Sequence, residues 1–320
     1  MKEKIIDALE QLKQREVANK QPFKVRAYAT VIKNLKALET PITTLDDIKD
    51  VKGIGAKIHE KIKEILETGE LKQLEKIDAN IKIINDLTVV HGIGPVKAKE
   101  LVEVHNIKSI DDLKQHPELL NDKQLLGLRY CEEFQKRIPF LEMKKHDEYI
   151  MDTIRKINPK IKAQIVGSYR RGAKDSGDID VIITHDDPKH DSILIDIVKA
   201  LKNERYLTDD FAVGPHKYLG VCKLKYHKTH RRIDILYATQ NVWPFSLLYF
   251  TGSVDFNVML RNLALSKGLS MNEYGFKESG KLLDQGFKTE EDVLRHLGLK
   301  YIPPEERSAK TDLNSYMITH

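Results

Sequence analysis

Asp178 and Asp180 stand two residues apart at the start of an apolar run, Ser176-Gly177-Asp178-Ile179-Asp180-Val181-Ile182-Ile183. Side chains alternate between the faces of a strand, so this spacing predicts both carboxylates on one face and Ile179 and Val181 on the other. Two carboxylates so close repel unless a cation lies between them, and hard oxygen donors favour magnesium. A third carboxylate, Asp234, lies in Arg231-Arg232-Ile233-Asp234-Ile235, a second strand-like run that faces it the same way if the strands pair. Three carboxylates around two magnesium ions suit phosphoryl transfer: one ion activates the attacking oxygen and the other holds the polyphosphate and leaving group. Asp178 and Asp180 would bridge both ions, while Asp234 would hold the first and take the proton of the attacking hydroxyl. A lone Asp-x-Asp commonly decorates a strand edge. What sets this one apart is Gly167-Ser168-Tyr169-Arg170-Arg171-Gly172 just ahead of it.

Holding such a set takes a sheet, and the texture of the chain changes where one would begin. Before residue 140, apolar positions recur at helical spacing over 2–14, 25–38, 56–66, 95–105 and 122–136, without strand-like runs. An amphipathic helix over about 141–157 then leads to β-rich runs at Ile161–Val166, Ile179–Thr184, Tyr218–Leu224 and Arg232–Tyr237. Helical periods return at 189–203, 244–250, 254–267 and 289–297, and the polar stretch after Pro303-Pro304 reads as a loose tail.

The helical half contains a repeat. Val51-Lys52-Gly53-Ile54-Gly55-Ala56-Lys57 returns as Val90-His91-Gly92-Ile93-Gly94-Pro95-Val96, each between two helical segments. Paired glycines permit a tight hairpin and aim backbone N–H groups from a helix N-terminus, where a phosphate oxygen is attracted. This is a helix-hairpin-helix pattern, which grips a nucleic-acid backbone without reading bases.

The 320 residues suffice for two or three domains, and 41% apolar with 32% charged residues fits a soluble folded chain. The net charge of +5 is small, but its distribution is uneven. No acid falls between Glu16 and Glu39, where Lys20, Lys24, Arg26, Lys33 and Lys36 lie, nor between Asp210 and Asp234, where Lys217, Lys223, Lys225, Lys228, Arg231 and Arg232 lie. Such stretches suit a phosphate backbone. Cys131 and Cys222 form neither a Cys-x-x-Cys pair nor a disulfide framework, which fits a reducing compartment. The N-terminus lacks the apolar core of a signal peptide, and no apolar run approaches the ~20 residues of a membrane span.

Gly-Ser followed by Asp-x-Asp is similar to the hallmark of the nucleotidyltransferase superfamily. Together with Arg231-Arg232-Ile233-Asp234, Tyr249-Phe250-Thr251-Gly252-Ser253, Asn272-Glu273-Tyr274-Gly275 and the paired hairpins, it resembles family X of the DNA polymerases along almost the whole chain. The resemblance implies a multidomain α+β fold: all-α helix-hairpin-helix domains, then a nucleotidyltransferase palm with a mixed or antiparallel sheet and a small α/β C-terminal subdomain. It divides the chain into a lyase-type DNA-binding domain (1–77), a second helix-hairpin-helix subdomain (78–139), the palm (140–240) and a nascent-base-pair-binding subdomain with tail (241–320). The organisation expected is minimal, with no phosphoesterase domain after residue 320 and no BRCT-like module before residue 1, as in an animal-type or viral repair enzyme.

Carried over residue by residue, the resemblance gives Ser168, Arg171, Arg137 and the backbone of Gly177 to the incoming triphosphate. Arginine suits phosphate through its fixed paired donors. Tyr249, Phe250 and Gly252 match the segment beneath the sugar, and Asn257 the minor-groove contact to the nascent base. Arg232 falls on the DNA-binding side, and Arg261 and Glu273 couple subdomain closure to the template strand. In the first hairpin domain, Lys61 matches the lysine that forms a Schiff base with an abasic sugar, with Lys57 one turn away and Glu60 placed to assist elimination. Gly53, Gly55, Lys57, Gly92 and Gly94 face DNA. Backbone carbonyls of Lys49, Val51 and Ile54, and of Thr88, Val90 and Ile93, match monovalent-ion sites for Na+ or K+. The chain departs from the pattern at Val25, Gln73, Val254 and Leu236, which bears on 5′-phosphate affinity and on control of closure.

The expected activity is templated filling of short gaps in base excision repair with two Mg2+ ions, Mn2+ able to substitute, plus 5′-deoxyribose phosphate lyase activity. Gapped or nicked duplex DNA and deoxynucleoside triphosphates are the expected partners, alongside other repair proteins. The expected state is a monomer inside the cell, away from membranes, in the nucleus, or in cytoplasm or virion for a virus. The alternatives are an untemplated terminal transferase, for which the Lys223–Arg231 connection is short, and a non-enzymatic DNA-end-binding scaffold, against which the intact carboxylates stand.

Overall fold

The structure, a computed structural model, describes residues 1–19, 21–75, 79–186, 192–283 and 286–318. Lys20 of the first basic stretch, the expected 77/78 boundary and residues 189–191 of the expected 189–203 helix lie outside them, as does the side chain of Gln73. The chain divides into two units, Met1–Cys131 and Glu132–His320.

The first unit is helical: α1 (Lys2–Ala18), α2 (Pro22–Ala37), α3 (Ala56–Thr68), α4 (Lys72–Glu75), α5 (Ala79–Leu87), α6 (Pro95–Glu103), α7 (Ile110–Lys114) and α8 (Asp122–Arg129). Ile5, Leu9 and Leu12, at the three and four residue spacing of one helix face, are buried with Val31, Leu35 and Ile62 in one core. Leu87, Val90, Leu101 and Leu113 form a second. The helix expected over 122–136 is interrupted: α8 ends at Arg129 with Tyr130 as its cap, and a separate turn, α9 (Cys131–Phe134), follows. Asn121 starts α8 with a reciprocal capping box, accepting from the Gln124 N–H while Gln124 reaches back to its own.

In the second unit, β1 (Ile138–Pro139) and β3 (Asp175–Ser176) pair with each other, flanking α10 (Phe140–Ile157), β2 (Lys162–Ile165) and α11 (Gly167–Arg170). Then come β4 (Ile179–Thr184), α12 (Ile193–Asn203), β5 (Leu207–Val213), β6 (Lys217–Cys222) and β7 (Arg231–Tyr237). The main sheet has the order β2-β4-β7-β6-β5. Only β4 and β7 run parallel, so the sheet is mixed. Ile179, Val181, Ile183, Ile233 and Ile235 are buried in one cluster with Met143, Ile150 and Ile154 of α10 and Ile197, Val198 and Leu201 of α12. Each such side chain contributes roughly 1.5–3 kcal/mol on burial, which fixes the face these strands turn inward.

The remainder is α13 (Trp243–Thr251), α14 (Val254–Ser266), β8 (Leu269–Asn272), β9 (Gly275–Glu278), β10 (Lys281–Leu282) and α15 (Glu290–His296), around Phe245, Leu248, Phe256, Leu260, Phe276 and Leu294. The stretch after Pro303 is not a loose tail. Leu313, Tyr316 and Met317 pack on this core, the Lys300 N–H donates to Tyr316 O at 2.8 Å, and Arg307 is 1% exposed. Its apolar residues are too sparse to show a period, yet each finds a place on an existing core.

One buried ion pair ties α10 to β7. Arg231, 6% exposed, donates from Nε and Nη2 to the two oxygens of Glu142 at 2.7 and 2.9 Å. Burial raises the Glu142 carboxyl, but His146 and Arg231 lower it to about 2. Arg231 is the principal partner, since His146 Nε2 stands 3.7 Å away, beyond hydrogen-bond reach. A carboxyl held below its ordinary 4.5 adds stability above that pH and loses it as pH falls toward about 2. Glu142→Ala is expected to cost roughly 3 kcal/mol at neutral pH by leaving Arg231 buried without its counter-charge. It should also flatten the acid loss between pH 4.5 and 2. Trp243, the single tryptophan, reports unfolding of this unit by fluorescence in urea. An acid profile unchanged in the variant would show that the pair is not responsible.

Candidate active site

Asp180 and Asp234 occupy paired positions on the adjacent parallel strands β4 and β7, so the strands pair as the shared facing of the two carboxylates needed. Asp180 is the one residue of β4 that is not buried. Continued one step beyond Ile179–Ile233, the same register sets Asp178 opposite Arg232, and their side chains are ion-paired. Burial, then the neighbouring Asp178 and Asp234, raise Asp180 above the ordinary carboxylate range. Burial likewise raises Asp234, against the opposing pull of Arg232. Lys217 of β6 also lowers both carboxyls; sequence reading placed it only in a basic stretch, because its proximity depends on the β6–β7 pairing.

Gly167 backs onto this pair. Its φ is +64°, and a Cβ there would come 3.0 Å from Asp180 Oδ2, so the backbone passes where a side chain would crowd the carboxylate. The donor set fits a hard divalent cation: all oxygen, two half-buried carboxylates in register, and repulsion that one arginine and one lysine only partly offset. The three carboxylates lie close enough to act on one another, Asp178 raising both Asp180 and Asp234, and the Asp178 carboxylate also pairs with Arg232. Among the described residues, no three His, Cys, Asp or Glu side chains already form a metal-binding group.

The residues expected at the triphosphate gather on the turn before β4. Ser168 Oγ donates to Ser176 Oγ at 2.8 Å, and Arg137 Nε donates to Asp175 Oδ1 at 2.8 Å, so both attach to β3. Gly177 lies against Arg137, whose Nη1 would be 3.0 Å from a Cβ placed there. Arg171 donates from Nη1 to the Thr251 carbonyl, which brings it to Gly252 at the end of α13. Burial lowers its guanidinium pKa. The Tyr249 and Phe250 rings meet edge-on at 5.1 Å, and Asn257 Nδ2 donates to Tyr249 O at 2.7 Å. Arg261 is exposed one turn further along α14, while Glu273, in the β8–β9 turn, accepts from Ser246 Oγ through its carbonyl at 3.0 Å. These last two stand on separate elements.

A buried network beside this group is not legible in the sequence. Arg170 donates to Thr251 Oγ1 at 2.6 Å and to both Glu290 oxygens at 2.9 and 2.8 Å. Arg307 donates to Glu290 Oε1 at 2.6 Å. Burial raises the Glu290 carboxyl, and the two arginines outweigh it and hold it low. Of two consecutive arginines, Arg170 therefore fixes α11 to α15, while Arg171 lies at the end of α13.

In the first unit the repeat is also structural. Gly53 and Gly92 have φ of +94° and +89°, and Gly55 and Gly94 cap α3 and α6 with ψ of 170° and 172°. The expected cation carbonyls lie in these hairpins: Val51 N–H donates to Ile48 O at 3.0 Å, and Val90 O accepts from the Ile93 N–H at 3.0 Å. Lys49 ends the turn before the first hairpin, and Thr88 follows α5 before the second, with Ile54 inside the first. Lys57 and Lys61, one turn apart on α3, line a cleft of ≈ 620 Å³ with Glu60, Glu64, Glu67 and Lys72. Lys61 is half-buried there, whereas Lys57 and Glu60 are exposed.

Comparison with known proteins follows the same division. Residues 1–71 match the family model of a helix-hairpin-helix domain, and residues 85–135 that of the fingers domain of DNA polymerase lambda. Residues 137–240 match the DNA polymerase beta palm, and residues 246–308 its thumb. The chain is 32% identical over 302 residues to DNA polymerase lambda of Rattus norvegicus, covering 89% of this chain and 52% of the relative. It is 30% identical over 305 residues to DNA polymerase lambda of Arabidopsis thaliana, covering 88% and 57%. It is 25% identical over 317 residues to the DNA-directed DNA/RNA polymerase mu of Homo sapiens, covering 86% and 63%. The chain thus spans little more than half the length of the two lambda relatives.

Proposed function

This chain belongs to family X of the DNA polymerases, and from that premise we propose that it fills short gaps in duplex DNA during base excision repair, copying the template strand. The observation that carries the reading is the in-register pair Asp180 and Asp234 beside the Gly167–Arg171 turn. Asp178, released from Arg232, completes the carboxylate set for two Mg2+ ions, with Mn2+ able to substitute. When bound, the ions supply Lewis-acid activation of the primer hydroxyl and neutralise charge on the triphosphate. Asp234 accepts the proton of the primer 3′-hydroxyl. Ser168, Arg171, Arg137 and the Gly177 backbone hold the triphosphate, and Tyr249, Phe250 and Gly252 lie beneath its sugar. Asn257 reads the minor-groove edge of the nascent pair, Arg232 turns to the primer strand, and Arg261 and Glu273 couple closure to the template.

The hairpin glycines and Lys57 grip the DNA backbone, aided by Na+ or K+ on the carbonyls of Lys49, Val51 and Ile54, and of Thr88, Val90 and Ile93. Lys61 attacks C1′ of an abasic sugar, losing water to form a Schiff base, and Glu60 assists the elimination that releases the 5′-phosphate strand. The working modules are 1–77, 78–139, 140–240 and 241–320, in a monomer acting on nuclear DNA.

The test is extension on a duplex with a one-nucleotide gap, offering each deoxynucleoside triphosphate singly. Addition of only the complementary nucleotide, dependent on Mg2+, is the expected result. Equal addition to a single-stranded primer would make the chain a terminal transferase, and no addition under any condition would make it a binding scaffold.

A further inference from the structure

The connection between β6 and β7 carries a side chain that the polymerase reading does not use. Leu224-Lys225-Tyr226-His227 is a β-turn closed by the His227 N–H donating to Leu224 O at 3.0 Å. Tyr226 occupies its third position with φ of +69°, a left-handed conformation that such turns normally give to Gly or Asn. A bulky residue there is strained, and strain of this kind persists only where the surrounding structure holds it, as it does at many functional sites. The ring is 90% exposed, with Lys225 Nζ 5.2 Å from its centroid.

The turn is not a loose tip. Leu224 is buried before it, the His230 N–H and Nδ1 meet Glu133 Oε2 after it, and Arg231 is locked to Glu142. It lies in the acid-free window between Asp210 and Asp234, and its hairpin opens onto Arg232 and Asp234. Tyr226 stands five residues before Arg231, the first residue of β7, and Asp234 is on the order of 10 Å further along that strand at about 3.3 Å per residue. A rigid, exposed aromatic ring with a cation over one face, in a stretch without acids, fits a nucleobase at the end of a polyanion. Bases inside a duplex have both faces covered, so the ring suits one that is unpaired.

We infer that Tyr226 is a base-stacking residue that holds an unpaired nucleobase at the primer terminus, so that the chain binds gapped DNA whose primer end is mismatched or frayed. The inference rests on the polymerase reading for the position of the primer. The test is fluorescence anisotropy of the full chain on two gapped duplexes that differ only in whether the terminal primer base is paired. Tyr226→Ala should weaken binding of the unpaired-end duplex roughly tenfold and leave the paired one within about twofold. Tyr226→Phe should bind both as the wild type does. Tyr226→Gly should lose the same affinity as the alanine variant while its thermal stability is unchanged or higher, because glycine relieves the positive φ. Unchanged binding in Tyr226→Ala, or an equal loss on both duplexes, overturns the inference. Templated addition by the wild type on the paired duplex is measured alongside, and its failure would remove the polymerase reading without altering the binding comparison.

Discussion

Asp234→Ala is expected to lower templated gap filling by about 10³-fold or more, on the order of 4 kcal/mol of transition-state stabilisation. The carboxylate sits in mid-strand on β7, held by the pairing of β4 on one side and β6 on the other, so its removal leaves the backbone in place. Asp180 is raised in part by the charge of Asp234, and without metal the substitution therefore removes repulsion. Stability, followed through Trp243 fluorescence, should be equal to or above that of the wild type. Activity falls while stability does not, which separates loss of chemistry from loss of fold. Activity within about tenfold of the wild type would mean that the Asp180 and Asp234 pair is not where transfer takes place.

The second large effect concerns the other unit. Lys61→Ala should abolish the adduct that borohydride traps between the chain and an abasic-site oligonucleotide, because no other atom of that side chain can form an imine. Lys61→Arg should be equally inactive while it keeps the positive charge, since a guanidinium stays protonated and is a poor nucleophile. The pair of variants thus distinguishes nucleophile from phosphate anchor. Gap filling by either variant on an intact-sugar substrate should stay within about threefold of the wild type, as Lys61 and the carboxylates lie in different units. An undiminished adduct in Lys61→Ala would shift the nucleophile elsewhere, with Lys57 in the same cleft the first alternative.

The carboxylates were legible because strand parity is a strict code: given Ile179 and Val181 inside, Asp180 has to face out, and pairing supplied Asp234. The hairpins were legible because their glycines repeat in identical dihedral roles. β5 was missed since Thr208-Asp209-Asp210 interrupts its apolar pattern and its pairing with β6 shifts register twice. β8, β9 and β10 are too short to show a period. Arg170 and Glu290 are 120 residues apart, and nothing local marks either as half of a buried pair. The docking of Leu313, Tyr316 and Met317 likewise depends on a surface that exists only once α13–α15 have packed.

The alignment of Asp180 with Asp234 also bears on which changes a lineage of such chains can accumulate. An insertion or deletion of one residue inside β4 or β7 would turn every later side chain of that strand over, sending a carboxylate into the core and an isoleucine into the site. The connection between β6 and β7 carries no such parity, because Arg231 and Glu142 re-anchor the chain where β7 begins. A change of length between Lys225 and Thr229 therefore leaves the strand faces as they are, whereas one inside β4 or β7 does not. A change of residue count is therefore tolerated least inside the two strands that carry the carboxylates.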